Sequence, residues 1–374
     1  MRDWQDEFPQ DEGLCYLNHA AVAPWPKRSH DAVVRFAAEN VTHGARHYPR
    51  WLATEVRLRE QLQRLVNAPS SADISLLKNT SEGLSVIAAG LDWQPGDRVL
   101  ISNQEFPSNR IPWQALARVG VTVDQADIGG DDPEAALIAA MTPQTRLLSI
   151  SSVQYGTGLR MDLARLGEAC RERGILFCVD AIQSLGVLPL DAQAIHADFV
   201  VADGHKWMLG PEGLALFYCR AALRPTLKLH QFGWHMVADA GDYSRQDWQP
   251  ADDGTRFECG SPNLLCAHAL SASLSLIEEV GVSTIASQVA GHIDYLAQEL
   301  KALGRPVITP TDRARRAGII TFRPGGDSKA CWQALMAEGV VCAPRGGGIR
   351  LSPHFYTPPA VLERAMAAVQ RHCR

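Results

Sequence analysis

No run of apolar residues in this 374-residue chain approaches the ~18 that a membrane span needs, so none is expected. Nor does any C-x-x-C pair occur among its nine cysteines. Their odd number and scattered spacing argue against a zinc ribbon or a disulfide framework, and reduced, mostly buried thiols are expected. An excess of one charge is missing too: 36 basic against 41 acidic residues leave a net charge of -5, mixed along the chain, with nothing suited to nucleic acid or an acidic membrane. The chain has no internal repeat and no low-complexity tract. Its opening MRDWQDEFPQDEG is acidic where a secretion signal is basic and then greasy, so a cytoplasmic protein is expected. No metal is expected either: His43 and His47 are spaced as a pair on a helix, but no third ligand is close in sequence.

What is present is ordinary globular material, 46% apolar and 21% charged, in a length that predicts two domains. From Leu76 to Tyr218 short β-type runs alternate with helical patterns: RVLISN (98–103), VTVDQADI (121–128), RLLSISSVQY (146–155), ILFCVDAIQS (175–184) and DFVVADG (198–204), with DLARLGEACRERG among the helices between them. Strands alternating with helices predict a mostly parallel, covered sheet, with the ligand site off the carboxyl ends of its strands. The aromatic, glycine-rich stretch between Lys228 and Pro262 is too long for a simple connector. Beyond it a long helix, LLCAHALSASLSLIEEV, leads into mixed helices and strands such as AGIITFRP and GGIRLSP. These read as a smaller α+β domain.

Several unusual residues sit where the strands end. Asp180 closes the apolar strand ILFCVD and Gln183 follows it; His205 and Lys206 close DFVVADG and precede the turn GPEG and a second apolar strand. A lysine at such a corner is usually a solvated loop residue, and an aspartate there usually caps a helix. In NTSEG, Asn79, Thr80 and Ser81 either begin an ordinary capped helix or make a phosphate seat of free N–H groups and hydroxyls. A strand-end aspartate, a strand-end lysine and a phosphate seat on one crevice are the parts a pyridoxal 5′-phosphate site requires.

The ordered motifs YLNHAAVAP, NTSEG, EFPSN, SSVQYGTG, CVDAIQS, DGHKWMLGPEGLALFY, RFECGSPN and GGGIRLSPHFY run from about Tyr16 to Arg350. Together they resemble the class V aminotransferases, fold-type I pyridoxal phosphate enzymes that include cysteine desulfurases and isopenicillin N epimerase. The resemblance implies a large domain (16–262) around a mostly parallel seven-stranded sheet, and a small α+β domain (263–374, with residues 1–15). It implies that Lys206 forms the Schiff base and that Asp180 partners the pyridine nitrogen. Gln183 would bond the ring hydroxyl and Phe106 would stack on the ring, in catalytic positions with the lysine and aspartate. Thr80, Ser81 and His205 fall to the phosphate and Asn79 to the cofactor site beside them, with Asp203 where many relatives carry serine. A carboxylate there would repel a phosphate, so Asp203 is expected to point away or to pair with a cation. Gly260 and Ser261 would reach the site of a partner subunit, which implies a homodimer, and His43 to Arg46 would lie near that site. Arg350 would clamp the substrate α-carboxylate, for which a forked guanidinium is suited.

An α-amino acid is thus the expected substrate, and the fold does not select the outcome. The leading expectation is a lyase or epimerase. A desulfurase working through Cys342, which reads as a buried strand cysteine eight residues before Arg350, is the alternative, with a true transaminase and a silent scaffold behind it.

Overall fold

The computed structural model describes residues 4–373. Seven strands form the central sheet: β1 (Ile74–Leu77), β2 (Arg98–Ser102), β3 (Thr122–Ala126), β4 (Thr145–Ser151), β5 (Leu176–Asp180), β6 (Phe199–Asp203) and β7 (Ala215–Cys219). They lie in the order β1-β7-β6-β5-β4-β2-β3. Only β7 runs against its neighbours, because the GPEG turn sends the chain directly back beside β6. All other pairings are parallel, as alternating strands and helices require. β5, β6 and β7 are apolar on both faces and covered on both: Val179 and Val200 face one buried cluster, Cys178, Phe199 and Val201 the other.

Two expected runs are shortened. RLLSISSVQY stops pairing at Ser151, after which residues 152–155 turn away from the sheet, and ILFCVDAIQS stops at Asp180. Both ends are where the crevice opens. The helix Leu163–Arg173 is bounded as its residues dictate: the Asp162 side chain accepts the Arg165 N–H at 3.1 Å, and Gly174 ends it in the left-handed conformation.

In the C-terminal part Ala343–Arg345, Gly348–Leu351 and Ile320–Phe322 make a three-stranded antiparallel sheet. Cys15–Tyr16 pairs in parallel with Val340–Val341. Cys342 falls between Val340–Val341 and Ala343–Arg345, at a break between two short strands rather than inside one.

One expectation is overturned. Cys331 and Cys373 form a disulfide, because the helices Ser328–Ala337 and Pro359–His372 pack together and bring their Cα atoms to 5.3 Å across 42 residues of sequence. Odd number and scattered spacing hide such a pair. Six of the seven free cysteines are buried, as expected, and Cys259 is half-buried.

Candidate active site

Off the carboxyl ends of β4, β5 and β6 lies a cavity of about 260 Å³. Asn79, Thr80, Ser81, Phe106, Asp180, Gln183, Asp203, His205, Lys206 and Arg350 all line it. Ten residues spread over 272 positions of sequence therefore converge on one cavity.

Asp180 is the last residue of β5 and is buried; its Oδ1 accepts the Ile182 N–H at 3.0 Å. Burial pushes its carboxyl upward, the Ile182 N–H draws it back, and Glu105 adds to the rise while Lys206 opposes it. Lys206 is moved the other way. Burial lowers its ammonium, Asp180 resists that, and Arg350 reinforces it. The two shifts move the groups toward a common range. Lys206 Nζ lies 5.8 Å from the centre of the Phe106 ring, which is itself held edge-on by Tyr155 at 5.1 Å.

Gln183 is fixed from two sides: its Oε1 accepts the Trp207 Nε1–H at 3.0 Å and its Nε2 donates to Ala20 O at 2.9 Å. One amide N–H is left for the cavity. Asp203 Oδ1 stands 2.8 Å from His205 Nδ1, so the misplaced carboxylate faces an imidazole.

The helix Thr80–Gly90 points its N-terminus at the cavity. Asn79 Oδ1 accepts the Glu82 N–H at 2.9 Å, Ser81 Oγ donates to Ser108 Oγ at 2.8 Å, and Thr80 Oγ1 is buried without a partner. Buried hydroxyls are rarely left orphaned, and a helix start gathers free N–H groups for an anion. Arg350 is buried as well. Its Nη1 donates to Tyr155 O at 2.8 Å while its Nε has no partner, and burial, then Arg345, lowers its guanidinium to about 10. Orphaned donors at both ends of the cavity, with a lysine and a carboxylic acid between them, fit pyridoxal phosphate and an α-amino acid.

Gly260 and Ser261 are not brought into this cavity. They line a separate cleft of about 250 Å³ beside β1. Cys342 is absent from the lining; it is buried, its thiol is pushed up to about 12 by that burial, and its carbonyl accepts the Trp332 Nε1–H at 3.0 Å. His47 Nδ1 is 2.7 Å from Glu39 Oε1, an ordinary surface pair.

Three contributors carried no assigned role in the sequence. Glu105 is a buried carboxylate accepting from Ser102, Asn109, Ser151 and Gln154, and it fixes the turn that presents Phe106. Tyr155 joins Phe106 to Arg350. Arg345 lines the cavity beside Arg350. The first two lie inside EFPSN and SSVQYGTG, whose position after strands was the available signal. Arg345 had no signal beyond its place in RGGGIR.

A strand-end lysine and aspartate, with a helix start aimed between them on a seven-stranded sheet, define a pyridoxal-phosphate-dependent enzyme of fold-type I. Residues 15–348 match the family model described as Aminotransferase class-V, and the chain belongs to that family. It is 32% identical over 289 residues to a probable cysteine desulfurase of Methanothermobacter thermautotrophicus, covering 76% of this chain and 71% of that protein. It is 28% identical to the isopenicillin N epimerase of Streptomyces clavuligerus over 99% of this chain and 98% of that one. The solved complex of the cystine C-S lyase C-DES with cysteine persulfide shares the fold, with a TM-score of 0.91 at 23% identity over 98% of this chain and 100% of that one.

Proposed function

We propose that this enzyme binds an α-amino acid through Arg350 and removes its α-proton with Lys206, and that the outcome is elimination or epimerisation. The observation carrying this is that Lys206, Asp180 and Arg350 line one cavity of about 260 Å³. Thr80, Ser81 and His205 would hold the phosphate of the cofactor, Phe106 its ring face, Gln183 its hydroxyl and Asp180 its ring nitrogen. Bound there, pyridoxal phosphate supplies an electron sink for the pair left at the substrate Cα. The chain supplies the rest. Burial holds Lys206 below the ordinary lysine range, so a larger share of it is the free amine that can accept a proton. Asp180, fixed by the Ile182 N–H, keeps a proton at the ring nitrogen. Arg350, anchored on Tyr155 O, orients the substrate carboxylate so that the α-hydrogen faces Lys206.

The curated desulfurase relatives favour a second reading, sulfur transfer through Cys342. Burial and a thiol pushed up to about 12 weigh against it, since the thiolate is the sulfur acceptor. A screen of amino acids distinguishes the two: pyruvate with ammonia, or an inverted stereocentre, is expected, whereas alanine with sulfide and a persulfide on Cys342 would make the enzyme a desulfurase. Keto acid with aminated cofactor would make it a transaminase.

We propose further that Gly260 and Ser261, turned away from their own cavity, serve that of a second copy, with His43 to Arg46 nearby. Sedimentation of the holoenzyme is expected to give a dimer. A monomer holding cofactor at full strength would remove the shared site.

A further inference from the structure

Arg345 and Arg350 stand on the two strands of one hairpin. Ala343 pairs with Arg350 and Arg345 with Gly348, so both guanidiniums project from the same face, two residues out of register. Such diagonal neighbours lie about 7–8 Å apart at the backbone. Gly346 and Gly347 make the turn, with φ of +61° and +78°. A side chain at Gly346 would strike the Gly156 carbonyl oxygen, 2.1 Å from where its Cβ would be. The hairpin tip is therefore pressed onto the loop after β4, and Arg345 is held at the cavity with little freedom in its backbone.

Two like charges on one small cavity repel unless an anion lies between or beyond them. Arg350 has an assigned anion in the α-carboxylate. Arg345 has none: its recorded hydrogen bond goes from Nη1 to Pro344 O at 2.9 Å, and among the described residues no carboxylate stands within ion-pair distance of it. None of the three acidic groups that share the cavity forms an ion pair with Arg345. Asp180 faces the Ile182 N–H, Asp203 faces His205, and Glu212 lies on the GPEG turn. Arg345 is also exposed, where Arg350 is buried, which puts it toward the mouth and Arg350 at the wall.

We infer that the substrate is an α-amino acid whose side chain ends in a second carboxylate, and that Arg345 reads this distal group at the mouth while Arg350 holds the proximal one. This rests on Arg350 being the α-carboxylate clamp. A side chain ending in a neutral group would leave Arg345 to solvent, so Arg345 favours the acid that brings a second negative charge to it.

The test uses holoenzyme and unreactive acids, so that binding is read without turnover. Calorimetric titration with glutarate and with butyrate, which has the same three-carbon alkyl segment but lacks the second carboxylate, is expected to show glutarate bound about tenfold more tightly. In Arg345→Gln that ratio should fall to near one, and Arg345→Lys should keep part of it, since an ammonium retains charge but not the fork. Arg350→Gln should weaken both acids. Equal binding of glutarate and butyrate by the wild type, or an unchanged ratio in Arg345→Gln, would overturn the inference. Unchanged butyrate binding in Arg350→Gln would instead overturn the clamp. Thermal melting within a few degrees of wild type is the check on folding, and Arg345→Gln is expected to meet it because the side chain is exposed.

Discussion

At the scale of single residues the site is a set of charges placed where water is scarce, and each is expensive unless a partner arrives. Lys206 and Asp180 move each other's proton affinity in opposite senses, and Thr80 Oγ1 and Arg350 Nε are buried donors with nothing to meet. Lys206→Ala is expected to lower turnover roughly a hundred- to ten-thousand-fold, the range for a lost general acid–base. Borohydride treatment followed by denaturation should leave the cofactor on the wild-type chain and release it from the variant. Retention on the variant would show that another amine is the attachment point. Asp180→Asn keeps the Ile182 contact in shape but cannot hold a proton on the ring nitrogen. It is expected to keep its cofactor and lose roughly a hundredfold in turnover, the scale of one misplaced electrostatic group. Activity within a few-fold of wild type would remove the role.

At the scale of elements, the break between Val340–Val341 and Ala343–Arg345 decides the place of Cys342. That cysteine is buried, its carbonyl is taken by Trp332, and it does not line the cavity that holds Lys206. Cys342→Ala is expected to cost about 1 kcal/mol of stability through the small cavity it leaves, and to change turnover less than twofold. A large loss of sulfide production would reverse the ranking of the two reactions. Strand and helix existence was legible in the alternation of apolar runs; β5 ends at Asp180, the residue read as closing ILFCVD, and β6 ends at Asp203, one residue short of the run read for it. The seven-strand count and the roles within the site came with the family resemblance, and the antiparallel β7 emerged only in the fold, because strand order and long-range convergence leave no local mark. What stayed hidden was of the same kind. Glu105 looks like any acidic residue after a strand, and it becomes structural only when Asn109, Ser151 and Gln154 converge on it. The Cys331 to Cys373 pair depends on two helices meeting, and Arg345 on a hairpin pressed against Gly156. Phe8 stacks on Tyr356 with ring centres 3.4 Å apart, another contact between distant stretches that no local pattern marks.

At the scale of the whole molecule, the N-terminal segment and the C-terminal sheet are joined through buried histidines beside the cavity wall. His19 reaches Ser352 O at 2.8 Å through Nδ1 and the Tyr356 hydroxyl at 2.7 Å through Nε2, and His354 lies 3.3 Å from Trp207 O through its own Nε2. Both rings are held neutral. Burial lowers His19 to about 4 against the Ser352 contact, and lowers His354 well below the ordinary range, with His19 adding to the effect. The unfolded chain binds a proton on each histidine below about pH 6.5 while the folded chain does not, so stability rises with pH in this window and is lost as pH falls from 6.5 toward 4. For His19 alone the loss approaches about 3 kcal/mol by pH 4, at about 1.4 kcal/mol for each unit of displacement. Urea unfolding of the enzyme at pH 7.5, 6 and 5 should therefore show a falling midpoint. His19→Gln should start lower at pH 7.5, because Tyr356 and Ser352 lose a fitted partner, and then fall less steeply, because one of the protons taken up on unfolding has been removed. Parallel slopes for wild type and variant would mean that His19 is not the group being titrated, and that its place between the chain's two ends is a matter of packing alone.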